Sequence, residues 1–169
     1  MGASGSNPSW GKDQPSISRS PSEVPARRRR RILVVEDNQA DLLLIRRAIQ
    51  AADVNAELHV VRDGHSATQL FDLADSDNNA PCPDLVLLDL NLPKKNGEDV
   101  LKRLRASAKC GRALVLILTS SDSGRDREPV AALGIAGYFK KPSEYAEFMK
   151  LGAIVKRLLE ETTSSTDAE

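Results

Sequence analysis

The chain has 169 residues, of which 40% are hydrophobic and 28% charged, an ordinary balance for one globular domain with a buried core and spare ends. Lys+Arg and Asp+Glu both total 24, which gives no whole-molecule attraction to nucleic acid, and no apolar run is long enough to span a bilayer. The N-terminus lacks the apolar core of a secretory signal, and Cys82 and Cys110 stand isolated without metal-type spacing, so a reducing, cytoplasmic setting is expected.

Residues 1–30 are rich in Ser, Pro and Gly and lack periodicity, so they read as a disordered arm. The arm ends in a basic run, Arg27 to Arg31, taken as a solubilising lead-in to the first strand. Through Arg31 the chain carries seven basic side chains against two acidic, and the remainder is acidic by the same margin of five. From Arg31 strand-like and helix-like segments alternate. "RILVVED" is an apolar strand closed by acids. "NQADLLLIRRAIQAAD" sets Leu42, Ile45 and Ile49 at helical spacing. "AELHVVRDG" and "HSATQLFDLAD" form a second pair, followed by the polar loop "SDNNAPCP". Residues Asp84–Asp89 are a nearly continuous apolar run, which marks a strand buried on both faces. "GEDVLKRLRAS" is a third helix and "RALVLILTSS" a fourth strand. A weaker helix runs toward Leu133, with Pro129 expected to delay or kink it. "IAGYFKKP" is a short fifth strand. "SEYAEFMKLGAIVKRLLE" is one amphipathic helix, followed by a disordered tail over 161–169.

Five strands alternating with helices through short connections predict a parallel sheet covered on both faces. In such a sheet the carboxyl ends of the strands share one crevice. Glu36 and Asp37 stand at the first of these ends, Asp89 at the third, Thr119 and Ser120 at the fourth, Lys140 and Lys141 at the fifth. Three converging carboxylates repel one another unless a cation joins them. All-oxygen ligands favour Mg²⁺ or Mn²⁺ over zinc. Lys141 can neutralise Asp89 or hold a phosphoryl oxygen, and Thr119 can donate a hydroxyl hydrogen bond to another. Positioning and charge neutralisation are the main needs of phosphoryl transfer, and Asp89 would be its carboxylate nucleophile.

"ILVVEDN", "LVLLDLNLPKKNG", "LILTSS" and "YFKKP", in this order and spacing, resemble the receiver domain of two-component response regulators over about residues 31 to 160. The resemblance implies a flavodoxin-like (βα)5 doubly wound parallel sheet, strand order 2-1-3-4-5. It makes Asp89 the phosphoacceptor. Asp37, Asp89 and the backbone carbonyl of Asn91 would ligate Mg²⁺, with Glu36 holding the metal's waters. Thr119 is the switching hydroxyl, Tyr138 the switching aromatic, and Lys141 the family's lysine, joined to Pro142 by a cis bond. The loop sequences are similar to small regulators paired with phytochrome-type histidine kinases.

The resemblance therefore implies a stand-alone, cytoplasmic signalling phosphoacceptor, not an enzyme beyond its own phosphotransfer and dephosphorylation. Its partner is a sensor histidine kinase. Few residues follow the last helix, so no DNA-binding domain and no membrane contact are expected. Leu151, Ile154, Val155 and Leu158 on that helix would support a symmetric dimer. His59 and His65 are read as structural, and Trp10 as incidental exposure. Two alternatives are a haloacid-dehalogenase-type phosphatase, which wants an acid where Asn91 stands, and a pseudo-receiver that binds partners without phosphorylation. A flavin module would need a Ser/Thr/Gly loop in place of "EDNQAD".

Overall fold

Five apolar runs become strands that hydrogen-bond side by side: β1 (Arg30–Val35), β2 (Ala56–Val61), β3 (Leu85–Asp89), β4 (Leu114–Thr119) and β5 (Gly137–Lys140). All pairings are parallel, and the order is β2-β1-β3-β4-β5. The flavodoxin-like order expected from the motifs is therefore the one found. The structure, a computed structural model, describes residues 29–92, 94, 96–120 and 130–167. Trp10 and most of the arm, Pro129 and the segment 121–129 lie outside the described residues. Arg30, assigned to the arm from sequence, opens β1 instead, because its register partner Ala56 extends the ladder by one rung.

Alternation along the strands divides the core in two. Leu33, Val35, Val86, Leu88, Val115 and Ile117 pack with Ala67, Phe71, Val100 and Leu104. These last four belong to α2 (Gly64–Ser76) and α3 (Gly97–Ala106). Ile32, Val34, Leu85, Leu87, Leu116 and Leu118 pack on the other face. That face is covered by α1 (Gln39–Ala51), a single turn α4 (Tyr145–Phe148) and α5 (Lys150–Asp167). β3 is buried at all five positions, which is why its sequence shows no polar alternation.

The first three helices begin at a polar residue after a strand. Asn38, Asp63 and Asn96 each accept a backbone N–H three residues on, from Asp41, Ser66 and Asp99 at 3.0, 2.7 and 2.9 Å. α2 and α3 are tied by Arg103, which donates to Asp72 at 2.7 Å and Asp75 at 2.8 Å. Arg105 donates to the carbonyls of Gly111, Ala113, Leu133 and Gly134 at 2.7–2.9 Å, joining the turns that precede β4 and β5.

Three expectations change here. The two cysteines are not isolated: Cys82 and Cys110, 28 residues apart, form a disulfide with Cα atoms 5.3 Å apart. Their turns precede β3 and β4, which are neighbours in the sheet, so the pairing is a tertiary one. The last amphipathic segment is two helices. Phe148 of α4 meets Phe139 edge-on at 5.7 Å, and Gly152 seats α5 separately against α1. Finally, α5 continues past Glu160 to Asp167, where a disordered tail was expected; no Gly or Pro falls between 160 and 167, and the Thr162 hydroxyl donates to Leu158 O at 2.9 Å.

Candidate functional site

The site grows out of strand parity. Glu36 continues the alternation of Ile32 and Val34, Asp89 that of Leu85 and Leu87, and Lys141 that of Phe139, so all three fall on the α1/α5 side of the sheet. Glu36 is fully buried. Its Oε1 accepts the Asn38 N–H at 3.0 Å, and its Oε2 accepts the Lys141 ammonium at 2.5 Å. Asp89 is 5% exposed. Its Oδ1 accepts the Asn91 N–H at 3.0 Å, and its Oδ2 accepts Lys141 Nζ at 3.1 Å. Asp37 is exposed beside them, and carboxylate oxygens of Glu36, Asp37 and Asp89 lie within 4.8 Å of one another.

Lys141 is set in place from β4, since its N–H donates to Thr119 O at 2.8 Å. Among the described residues no peptide bond is cis. The Lys141–Pro142 bond is therefore trans, contrary to expectation, and this backbone hydrogen bond carries the ammonium to Asp89 without a cis turn. Thr119 is buried and ends β4 on the same face as Ile117, and Tyr138, the register partner of Ile117, packs half-buried on that side. The fourth strand's hydroxyl and the aromatic thus share the α2/α3 face, while the lysine and the acids occupy the other. Ser120 and Lys140 are exposed.

The loop after Asp89 is shaped by close approach. The Gly97 N–H donates to Leu90 O at 3.0 Å. A Cβ at Gly97 would lie 2.6 Å from Asp89 O and 2.7 Å from Leu90 Cα, so only glycine lets α3 begin this close to the strand end. Lys94 in the same loop has φ +67° and pairs with Asp63, the α2 cap, at 3.6 Å.

Burial is the chief influence on the Glu36 carboxyl and raises it to about 7, against the pull of the Lys141 and Asn38 hydrogen bonds. Burial also works against the Lys141 charge, yet the hydrogen bonds to Glu36 and Asp41 and the Asp89 charge outweigh it. Lys141 is held above its ordinary value. Burial lowers the His59 imidazole. Asp41 is the site residue that sequence reasoning missed. Its Oδ2 accepts Lys141 Nζ at 2.9 Å, and the sequence showed it only as an acid in the first turn of α1.

The model of the response regulator receiver domain matches residues 32–152. The chain belongs to the response regulator receiver family. This receiver is 33% identical to the response regulator Rcp1 of Synechocystis sp. over 71% of its own length and 82% of that protein. It is similar to the phosphorylated cyanobacterial phytochrome response regulator RcpA, at 33% identity and TM-score 0.71, over 78% of this chain and 95% of that one. The Mn²⁺-bound form of Rcp1 matches at 32% identity and TM-score 0.65, over 73% and 88%. Family membership sets aside the dehalogenase and flavin readings. Among the described residues no helix is long and apolar enough to cross a membrane.

Proposed function

We propose that this receiver takes a phosphoryl group onto Asp89 from a sensor histidine kinase and thereby switches a protein-interaction surface. The observation that carries the reading is the Lys141 ammonium bonded to Asp89 Oδ2 at 3.1 Å beside a cluster of three carboxylates. An Asp89 carboxylate oxygen attacks phosphorus, the P–N bond to the kinase histidine breaks, and an acyl phosphate forms. Lys141 then holds a phosphoryl oxygen, and the Thr119 hydroxyl donates to another. The donor set fits Mg²⁺: oxygens only, on a partly exposed rim that leaves room for waters. Asp37, Asp89 and the Asn91 carbonyl would hold it, and Glu36, whose two oxygens already serve Asn38 and Lys141, would act through water. Bound Mg²⁺ supplies charge neutralisation for the phosphoryl oxygens.

Movement of Thr119 toward the phosphoryl group would vacate space for Tyr138 to turn inward, a local change that biases a two-state surface. Leu151, Val155 and Leu158, expected from sequence to support a dimer, are buried in the core, and Ile154 packs against it. Self-association would therefore have to use other residues. Similarity to RcpA and to the bacteriophytochrome response regulator RtBRR supports a phytochrome-type kinase as partner; a cytoplasmic location rests on that pairing alone, because the Cys82–Cys110 disulfide removes the thiol argument for a reducing setting.

Incubation with acetyl phosphate should add one phosphate to the wild type by intact mass, only with Mg²⁺ or Mn²⁺, and none to Asp89→Asn. Equal labelling of both would refute the assignment. Thr119→Ala should still be labelled but should blunt any change that beryllium fluoride with Mg²⁺ produces in kinase affinity.

A further inference from the structure

The Lys141 ammonium has three hydrogens and three carboxylate acceptors: Glu36 at 2.5 Å, Asp41 at 2.9 Å and Asp89 at 3.1 Å. Two of the three, Glu36 and Asp89, also belong to the group whose oxygens gather within 4.8 Å, and Asp41 does not. An ammonium and a divalent cation sharing the same two carboxylates compete for them and repel each other. Asp41 escapes this conflict. It lies in the first turn of α1, with its own N–H on the Asn38 side chain at 3.0 Å. A carboxylate is favoured there by the helix dipole.

We propose that Asp41 is a positioning residue that keeps a carboxylate partner on the Lys141 ammonium when a divalent cation is held by Asp37 and Asp89, with Glu36 engaged through its waters. The inference rests on the metal reading above and deepens it. With Asp41 present, Lys141 can loosen its hold on Glu36 and Asp89 without being left unpaired in a half-buried place. Without Asp41, every hydrogen bond that Lys141 keeps to a carboxylate is one that the cation must break or share.

The test is a calorimetric titration of the full chain with Mg²⁺ alone, in four forms: wild type, Asp41→Asn, Lys141→Met and the double variant. Asp41→Asn should weaken Mg²⁺ binding about tenfold with Lys141 present and less than about twofold with Lys141→Met, a coupling in the usual range for contacting residues. Asp41→Ser serves as the second substitution should the Asn variant fail to fold. Equal losses in both backgrounds would mean that Asp41 acts on the metal by its charge alone, and would overturn the proposal. No loss in either background would overturn it as well. A wild-type chain that takes up no Mg²⁺ would instead remove the metal reading itself, and this inference with it.

Discussion

Asp75 shows what a single side chain contributes far from the site. It accepts the Ser107 hydroxyl at 2.6 Å, Arg103 at 2.8 Å and the Lys109 N–H at 3.1 Å. The Ser107 hydrogen bond, then Arg103, hold its carboxyl down at about 2 from an ordinary 3.8. As pH falls below 3.8 the unfolded chain takes up this proton before the folded one does. Stability present above that pH is therefore lost progressively toward pH 2. Urea midpoints should fall more steeply between pH 4 and pH 2 in the wild type than in Asp75→Asn; equal slopes would show that Asp75 is unperturbed.

Between elements, the decisive contact is that of α1 with α5. A Cβ at Gly152 would lie 2.1 Å from Ala48 O and 2.8 Å from Ala52 Cβ. Neither is the far end of a flexible side chain, so the helices would have to separate. Gly152→Ala should destabilise the fold by about 1–3 kcal/mol, read as a Tm lowered by about 3–10 °C. An unchanged Tm would mean that this helix pair has slack. The same pair frames the site, because α1 carries Asp41 and its Ala48 carbonyl faces α5. The effect of Gly152→Ala should thus reach Lys141 as well, as weaker Mg²⁺ binding in the folded variant.

Across the whole molecule, chemistry and cross-linking sit at opposite ends of the sheet. Glu36 and Lys141 follow the carboxyl ends of β1 and β5 and Asp89 closes β3, whereas Cys82 and Cys110 precede the amino ends of β3 and β4. Closing a loop of this length restricts the unfolded chain, a stabilisation of about 3–4 kcal/mol on the chain-entropy view. Reduction with dithiothreitol, or Cys82→Ser, should lower unfolding stability by about that amount. Mg²⁺ affinity should remain within about twofold, since the crevice at the other end is held by its own strand ends. A loss of metal binding on reduction would reveal coupling through the sheet.

The order of the strands, the parallel sheet and the acids, hydroxyl and lysine at strand ends were legible in the sequence. Each follows from local pattern: apolar runs of strand length, helical spacing at Leu42 and Ile45, and motifs at fixed offsets. Parity along each strand even places Glu36, Asp89 and Lys141 on one face. What remained hidden depends on distances between residues remote in the chain. No local signal announced that Asp41 would reach Lys141 across 100 residues, or that Cys82 would meet Cys110. Leu151, Val155 and Leu158 looked the same in sequence whether they faced a partner or the core, because helical periodicity records that a face is apolar and not what covers it. The placing of Lys141 was hidden in the same way: its N–H donates to Thr119 O, an interaction between neighbouring strands that exists only once the sheet has formed.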